Sequence, residues 1–101
     1  MEWKKAMQFL TLSRRKERVE APGDELVEAE VQRARVLYAQ GYMRQLWHRA
    51  DGPGACALWE VEDEARLWEL LKSLPFFQAG MVEVSVIPLQ PWAGFGPEKI
   101  C

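Results

Sequence analysis

The order in which two hydrophobic periodicities alternate along the chain is the feature that most limits its possible folds. Residues 81–87 alternate Val with Glu and Ser, which is the period of a strand with one buried face. Residues 24–41 instead place their apolar side chains within an arc of roughly 140° at about 100° per residue, as one face of a helix does. The elements predicted from these patterns and their flanking turns are a strand over 7–13, a helix over 24–41, strands over 42–50 and 55–61, a helix over 63–74 and a strand over 81–87.

Turn and cap residues separate these elements. Asp24 is predicted to be the N-cap of the first helix, and Gly41 suits the left-handed position after its last turn. The Asp-Gly-Pro-Gly cluster at 51–54 indicates a hairpin, while Asp63 is predicted to cap the second helix and Pro75 to end it. The order strand, helix, strand, strand, helix, strand is the ferredoxin-like split βαβ arrangement, an α+β fold in which two helices cover one face of a four-stranded antiparallel sheet.

Length and composition fit one domain of this kind. A chain of 101 residues has room for a single core, so we expect one domain over 1–101. Residues 88–101 contain Pro and Gly at several positions and are predicted to form an irregular C-terminal tail. With 49% hydrophobic residues the chain is too apolar for an intrinsically disordered protein.

Charge and residue usage exclude several classes of partner and cofactor. A net charge of −2 gives no positive field for nucleic acid. One histidine and two cysteines, Cys56 and Cys101, cannot complete a Cys/His zinc site without a second chain, which disfavours a metal and leaves a carboxylate site as the alternative. The chain has no glycine-rich phosphate loop, nucleophile elbow or Cys-x-x-Cys motif, which predicts a protein without a cofactor. The first twelve residues are too short and too polar for a signal peptide or a membrane helix, which favours the cytoplasm and no membrane partner.

The second face of the predicted sheet implies a partner. Two helices cover only one face, yet the other face also carries apolar side chains. We therefore expect a homodimer in which two sheets pack face to face, with the polar row of Glu83 and Ser85 lining the interface.

Glu30 is the first candidate functional residue. On a helix it lies about 40° from Leu26, inside the apolar arc, so its carboxylate is predicted to face the sheet. Partial burial raises the pKa of a carboxyl group toward the range useful for a general base. The structural alternative is that Glu30 bends out to solvent or pairs with Arg33.

The second strand supplies two candidate partners. Strict alternation places Arg44, Leu46 and His48 on one face. If that face lies beneath the helix, a guanidinium and an imidazole meet Glu30 and form a site for a small anionic ligand. Arg44 would bind the anion, and Glu30 or His48 would move a proton. The alternatives are that His48 is solvated or structural and that Arg44 serves the solubility of an edge strand.

Several segments in the second half of the chain resemble the muconolactone isomerase family. They are Gly41, Arg44-Gln45-Leu46-Trp47, Trp59-Glu60-Val61, Leu70-Leu71-Lys72-Ser73-Leu74-Pro75-Phe76-Phe77 and Val82-Glu83-Val84-Ser85. The resemblance covers about half of the chain, from 41 to 87. It implies a ferredoxin-like domain, homodimers whose sheets form a barrel, further assembly as far as a decamer, and a cofactor-free proton shift on a small lactone carboxylate in aromatic catabolism. Glu30 and Arg44 fall where the family has a helix Glu and a strand Arg.

Departures from the family pattern leave the function open. His48 stands where the family has Arg, Trp68 where it has His, and 78–80 where it has Pro-Tyr-Met. One hypothesis is an isomerase in which Glu30 moves the proton, Arg44 holds a carboxylate and His48 polarises an oxygen. The other is a non-catalytic module of the same dimeric barrel type that binds small molecules or serves assembly. An oxygenase of the same superfamily acting on a polycyclic aromatic is a third hypothesis.

Overall fold

The computed structural model describes residues 6–95, which form a four-stranded antiparallel sheet with helices packed on one face. The elements are β1 (Met7–Arg15), α1 (Asp24–Ala39), β2 (Met43–His48), β3 (Ala55–Val61), α2 (Glu64–Leu71), α3 (Pro75–Gln78) and β4 (Val82–Leu89), followed by a 3₁₀ turn (Ala93–Phe95). The strands lie in the order β2-β3-β1-β4. This topology confirms the predicted α+β, ferredoxin-like fold.

The core lies between the helices and one face of the two central strands. Phe9 of β1 is paired with Trp59 of β3, and each is only 1% exposed. Leu37 of α1 and Leu67 of α2 close over them and are fully buried. The indole N–H of Trp59 donates to the Thr11 hydroxyl at 2.8 Å, so the one polar group of this large side chain is satisfied inside the core.

The helix ends follow the local sequence signals with two corrections. The Asp63 carboxylate accepts from the Arg66 N–H at 2.8 Å and caps α2, and Gly41 has a positive φ of 86° after α1, as predicted. The prediction for Asp24 is wrong, because Gly23 is the N-cap and Asp24 is already the first helical residue. Pro75 does not end α2. It begins α3, where the missing N–H of proline costs no helical hydrogen bond.

The last strand is longer than its alternation predicts. β4 continues through Pro88, which is paired with Phe9, and ends at Leu89. Proline is tolerated here because β4 is an edge strand, and its outer N–H groups have no ladder partner among residues 6–95. The irregular segment therefore begins two residues later than predicted, and its end at 96–101, with Cys101, lies outside the described residues.

Helix α1 stands off the sheet along much of its length. Of its apolar residues only Leu37 is fully buried, whereas Val27 and Val31 are 40% and 37% exposed. Tyr38 is 68% exposed and lies outside the core. The helical period correctly identifies which side chains share a face, but it does not fix the distance between that face and the sheet. The gap left on the N-terminal side of Leu37 opens into a cavity.

No helix formed by residues 6–95 covers the other face of the sheet. Leu10 of β1 is flanked by Leu58 of β3 and Ile87 of β4, and these three apolar side chains form a row across the sheet. Ile87 is 41% exposed, and Trp47 of β2 on the same face is 48% exposed. Over residues 6–95 no helix has both the length and the hydropathy needed to span a membrane.

Candidate active site

A cavity of about 560 Å³ lies between the sheet and helices α1 and α3. Most of its lining is apolar, and it includes Val27 and Val31, the partly exposed residues of α1. Its side chains with polar groups include Thr11, Ser13, Arg15, Glu30 and His48. A largely apolar cavity of this size with a few polar groups is typical of a site for a small organic molecule.

Glu30 enters the cavity from α1, as the sequence predicts. Its Oε1 atom accepts a hydrogen bond from the backbone N–H of Phe76 at 2.9 Å, in the first turn of α3. Burial raises the pKa of the Glu30 carboxyl, and the Phe76 N–H opposes part of that rise because it stabilises the ionised form. The alternative pairing with Arg33 does not form, since the Arg33 Nε donates instead to the Ser73 hydroxyl at 2.9 Å.

A β-bulge in β2 separates the predicted partners. Met43 is paired with Trp59 and Gln45 with Leu58, so Arg44 is an extra residue that breaks the alternation. The prediction that Arg44 shares a face with His48 is therefore wrong.

Arg44 forms its contacts on the uncovered face of the sheet. Its Nη1 lies 3.8 Å from the Oε1 of Glu60, and Glu60 also accepts from the Gln8 side chain at 3.0 Å. Glu60 alternates with the buried Trp59 and Val61 and so faces away from the helices. Arg44 does not contribute to the lining of the cavity with Glu30.

His48 does reach the cavity with Glu30. It is the last residue of β2 and is paired with Ala55 of β3, and beyond the bulge it shares the helix-side face with Leu46. Two of the three predicted site residues, Glu30 and His48, thus line one cavity.

Arg15 is a cavity residue that sequence reasoning missed. The charged stretch that begins at Arg14 is typical of a loop, so the sequence predicts that the strand ends at Ser13. Pairing with β4 extends β1 to Arg15, opposite Val82. Continuing the alternation of Phe9, Thr11 and Ser13 by one step would have placed Arg15 on the same side of the strand.

Arg49 lies near the rim of this site but is already paired. Its guanidinium donates to both carboxylate oxygens of Asp51, at 2.9 and 2.8 Å, and its Nη1 also donates to the Ser13 carbonyl at 3.3 Å. The hydrogen bonds from Arg49 lower the pKa of Asp51 to about 2. This pair ties the loop after β2 to β1.

Within the part of the chain that the structure describes, no group of three or more His, Cys, Asp or Glu side chains is placed to hold a metal ion. Trp68, which stands where the resembling family has His, packs edge-on against Phe77 with ring centroids 6.3 Å apart and donates to Glu64 at 3.2 Å.

Comparison with known proteins adds one family. The family model described as muconolactone delta-isomerase matches residues 7–93, which include all four strands and every residue discussed in the cavity. A search of curated proteins found no matching relative.

Proposed function

The chain belongs to the muconolactone delta-isomerase family, and from this membership we propose that it is a cofactor-independent isomerase that shifts a proton within a small lactone carboxylate. The observation that carries the proposal is the half-buried carboxylate of Glu30 in an apolar cavity that His48 also lines. A base for a carbon acid needs both features, because burial strengthens the base and an apolar lining accepts a lactone ring.

The proposed reaction assigns one role to each residue. Glu30 removes a proton from the saturated ring carbon that is conjugated through the C=C bond to the lactone carbonyl, and it returns a proton to the carbon next to that carbonyl. The C=C bond moves by one position and no proton is consumed. Because Oε1 of Glu30 accepts from the Phe76 N–H, we assign the proton to Oε2. His48 donates a hydrogen bond to the oxygen on which negative charge develops.

One contact favours the second candidate function, a binding or assembly module without chemistry. The N-cap residue of α3 is Leu74, which has no side-chain acceptor, and Glu30 supplies that acceptor from another helix. A protein that had lost the reaction would still need Glu30 for this structural purpose.

Proton exchange separates the two candidates directly. Wild-type protein is incubated with muconolactone in D₂O and followed by ¹H NMR. An isomerase is expected to accumulate the isomer, with deuterium at the carbon that receives the proton to the extent that the proton on Glu30 exchanges with solvent before its return. Muconolactone that shows binding by line broadening but neither exchanges nor isomerises would favour the binding module.

The pH dependence of turnover is the first prediction. Since burial raises the pKa of Glu30, kcat/KM is expected to fall on the acid side with a midpoint above 4.5, the ordinary value for a glutamate. The base is ionised above that midpoint and protonated, hence inactive, below it. Initial rates from pH 4 to 8 give the midpoint, and circular dichroism at each pH controls for unfolding. A midpoint at or below 4.5 would contradict the assignment.

The second prediction concerns the uncovered sheet face, which we propose packs against a second copy of the chain. Wild-type protein is expected to sediment as a dimer or larger oligomer. Leu58→Lys places a charge in the apolar row beside Leu10 and Ile87, and burying that charge is expected to weaken the dimer about 100-fold or more. Val36→Lys is the control, since Val36 is 43% exposed on α1. Equal dissociation of both variants, or a monomeric wild type, would contradict the proposed interface.

A further inference from the structure

We propose that Arg15 binds the carboxylate of the substrate, the role that the sequence assigns to Arg44, and that the cavity is therefore selective for anionic over neutral lactones. The inference rests on the proposed function for the identity of the ligand. It follows from where Arg15 lies, from how its strand end is held, and from which arginines already have acidic partners.

The position of Arg15 is fixed by backbone hydrogen bonds on both sides. It is the last residue of β1, and its N–H donates to the carbonyl of Pro53 in the β2–β3 hairpin at 3.1 Å. The next residue, Lys16, donates to the carbonyl of Met81 beside β4 at 2.9 Å. The strand end is thus held between two loops, and the half-buried Arg15 side chain lines the cavity from the sheet wall. A side chain presented from a fixed backbone loses less entropy when it binds a ligand.

Charge pairing distinguishes Arg15 from the other arginines near the site. Arg44 pairs with Glu60, and Arg49 with Asp51. Among residues 6–95 no carboxylate lies within ion-pair distance of Arg15, although its side chain borders an apolar cavity. A guanidinium at the edge of a low-dielectric space forms strong paired hydrogen bonds with a carboxylate, and the ligand is the group that can supply one.

The opposed positions of Arg15 and Glu30 also explain how a negatively charged substrate can approach a carboxylate base. Glu30 enters from α1 on the helix wall, whereas Arg15 enters from β1 on the sheet wall. A ligand whose carboxylate binds Arg15 places its uncharged ring toward Glu30. The positive charge of the Arg15 guanidinium beside the ligand carboxylate then offsets the repulsion between that carboxylate and the carboxylate of Glu30. A neutral lactone gains nothing from Arg15, which defines the substrate class as lactones with a free carboxylate.

Calorimetric titration with muconolactone and with its uncharged methyl ester tests the proposal. Wild-type protein is expected to bind the acid about 10- to 100-fold more tightly than the ester. Arg15→Gln is expected to remove that preference while leaving affinity for the ester unchanged, and Arg15→Lys to retain part of it. Arg14→Gln is the matched control, because Arg14 is the preceding residue and lies on the other face opposite Glu83. In turnover, Arg15→Gln is expected to raise KM far more than it lowers kcat.

The outcomes separate this inference from the proposed function. The inference is overturned if wild-type protein does not prefer the acid, if Arg15→Gln keeps the preference, or if Arg44→Gln removes it instead. If Arg15→Gln still exchanges deuterium into muconolactone and its KM is unchanged, Arg15 does not bind the substrate carboxylate. The proposed isomerase activity then stands without it. An acid preference that depends on Arg15, in a protein that neither exchanges nor isomerises muconolactone, would support the anion site and reject the isomerase.

Discussion

Replacing Glu30 with glutamine is expected to lower kcat for muconolactone isomerisation about 10²- to 10⁴-fold, the usual contribution of a general base. The amide cannot accept a proton at neutral pH. Its oxygen can still accept the Phe76 N–H that Oε1 of Glu30 now accepts at 2.9 Å, so α3 keeps its cap and the cavity its shape. The measurements are kcat by NMR or absorbance and the thermal unfolding of the same sample.

Two companion variants divide the chemical role of Glu30 from its structural one. Glu28→Gln is the control for a charge change on the same helix, since Glu28 is exposed and bonds only Gln32 among the described side chains. Glu30→Ala removes the acceptor of the Phe76 N–H as well and is expected to cost about 1 kcal/mol of stability. If Glu30→Gln turns over at the wild-type rate while Glu30→Ala is destabilised, Glu30 is only a helix cap and the isomerase proposal fails.

The raised pKa of Glu30 also predicts the sign of a stability difference. Burial disfavours the ionised carboxylate in the folded protein, so between pH 4.5 and its raised pKa the folded state binds more protons than the unfolded state. The free energy of unfolding contributed by this group therefore falls as pH rises through that window. Glu30→Gln lacks the titration and is not expected to be less stable than wild type at neutral pH.

The parts of the fold that sequence predicts correctly are those decided locally. The Asp63 cap, the glycine after α1 and the hairpin at 51–54 depend on residues within a few positions of one another. The strand and helix order follows from periodicities that each element carries by itself. Glu30 could be placed toward the sheet for the same reason, since its position within the apolar arc of α1 needs no knowledge of the rest of the molecule.

The parts that sequence misplaces depend on pairing between distant strands. Nothing in the residues of β2 requires a bulge at Arg44, yet one extra residue there moves this side chain to the opposite face. Arg15 reads as the start of a charged loop, and it is strand only because Val82 of β4 pairs with it. Because of these two errors, the arginine that lines the cavity with Glu30 and His48 is Arg15 of β1 and not Arg44 of β2.

Gly54→Ala is expected to have the largest effect on stability, about 3 kcal/mol or more. Gly54 has a φ of 154°, which residues with a side chain rarely adopt, and a Cβ atom there would lie 2.1 Å from the carbonyl oxygen of Ser13. That oxygen belongs to the backbone of β1 and also accepts from Arg49, so the strand itself has to move. Urea unfolding of the variant and the wild type measures the difference.

Gly52→Ala separates the cost of the contact from the cost of the backbone conformation. Gly52 has the same φ of 154°, but a Cβ atom at that position meets nothing within 4 Å. The free energy of unfolding of Gly52→Ala is therefore expected to fall only by the cost of backbone strain, about 1–3 kcal/mol. Because Pro53 beside Gly54 accepts from the Arg15 N–H, Gly54→Ala is also expected to displace Arg15 and raise KM for muconolactone, whereas Gly52→Ala leaves KM unchanged. Equal stability and equal KM in the two variants would show that the close approach of the hairpin to β1 does not position the site.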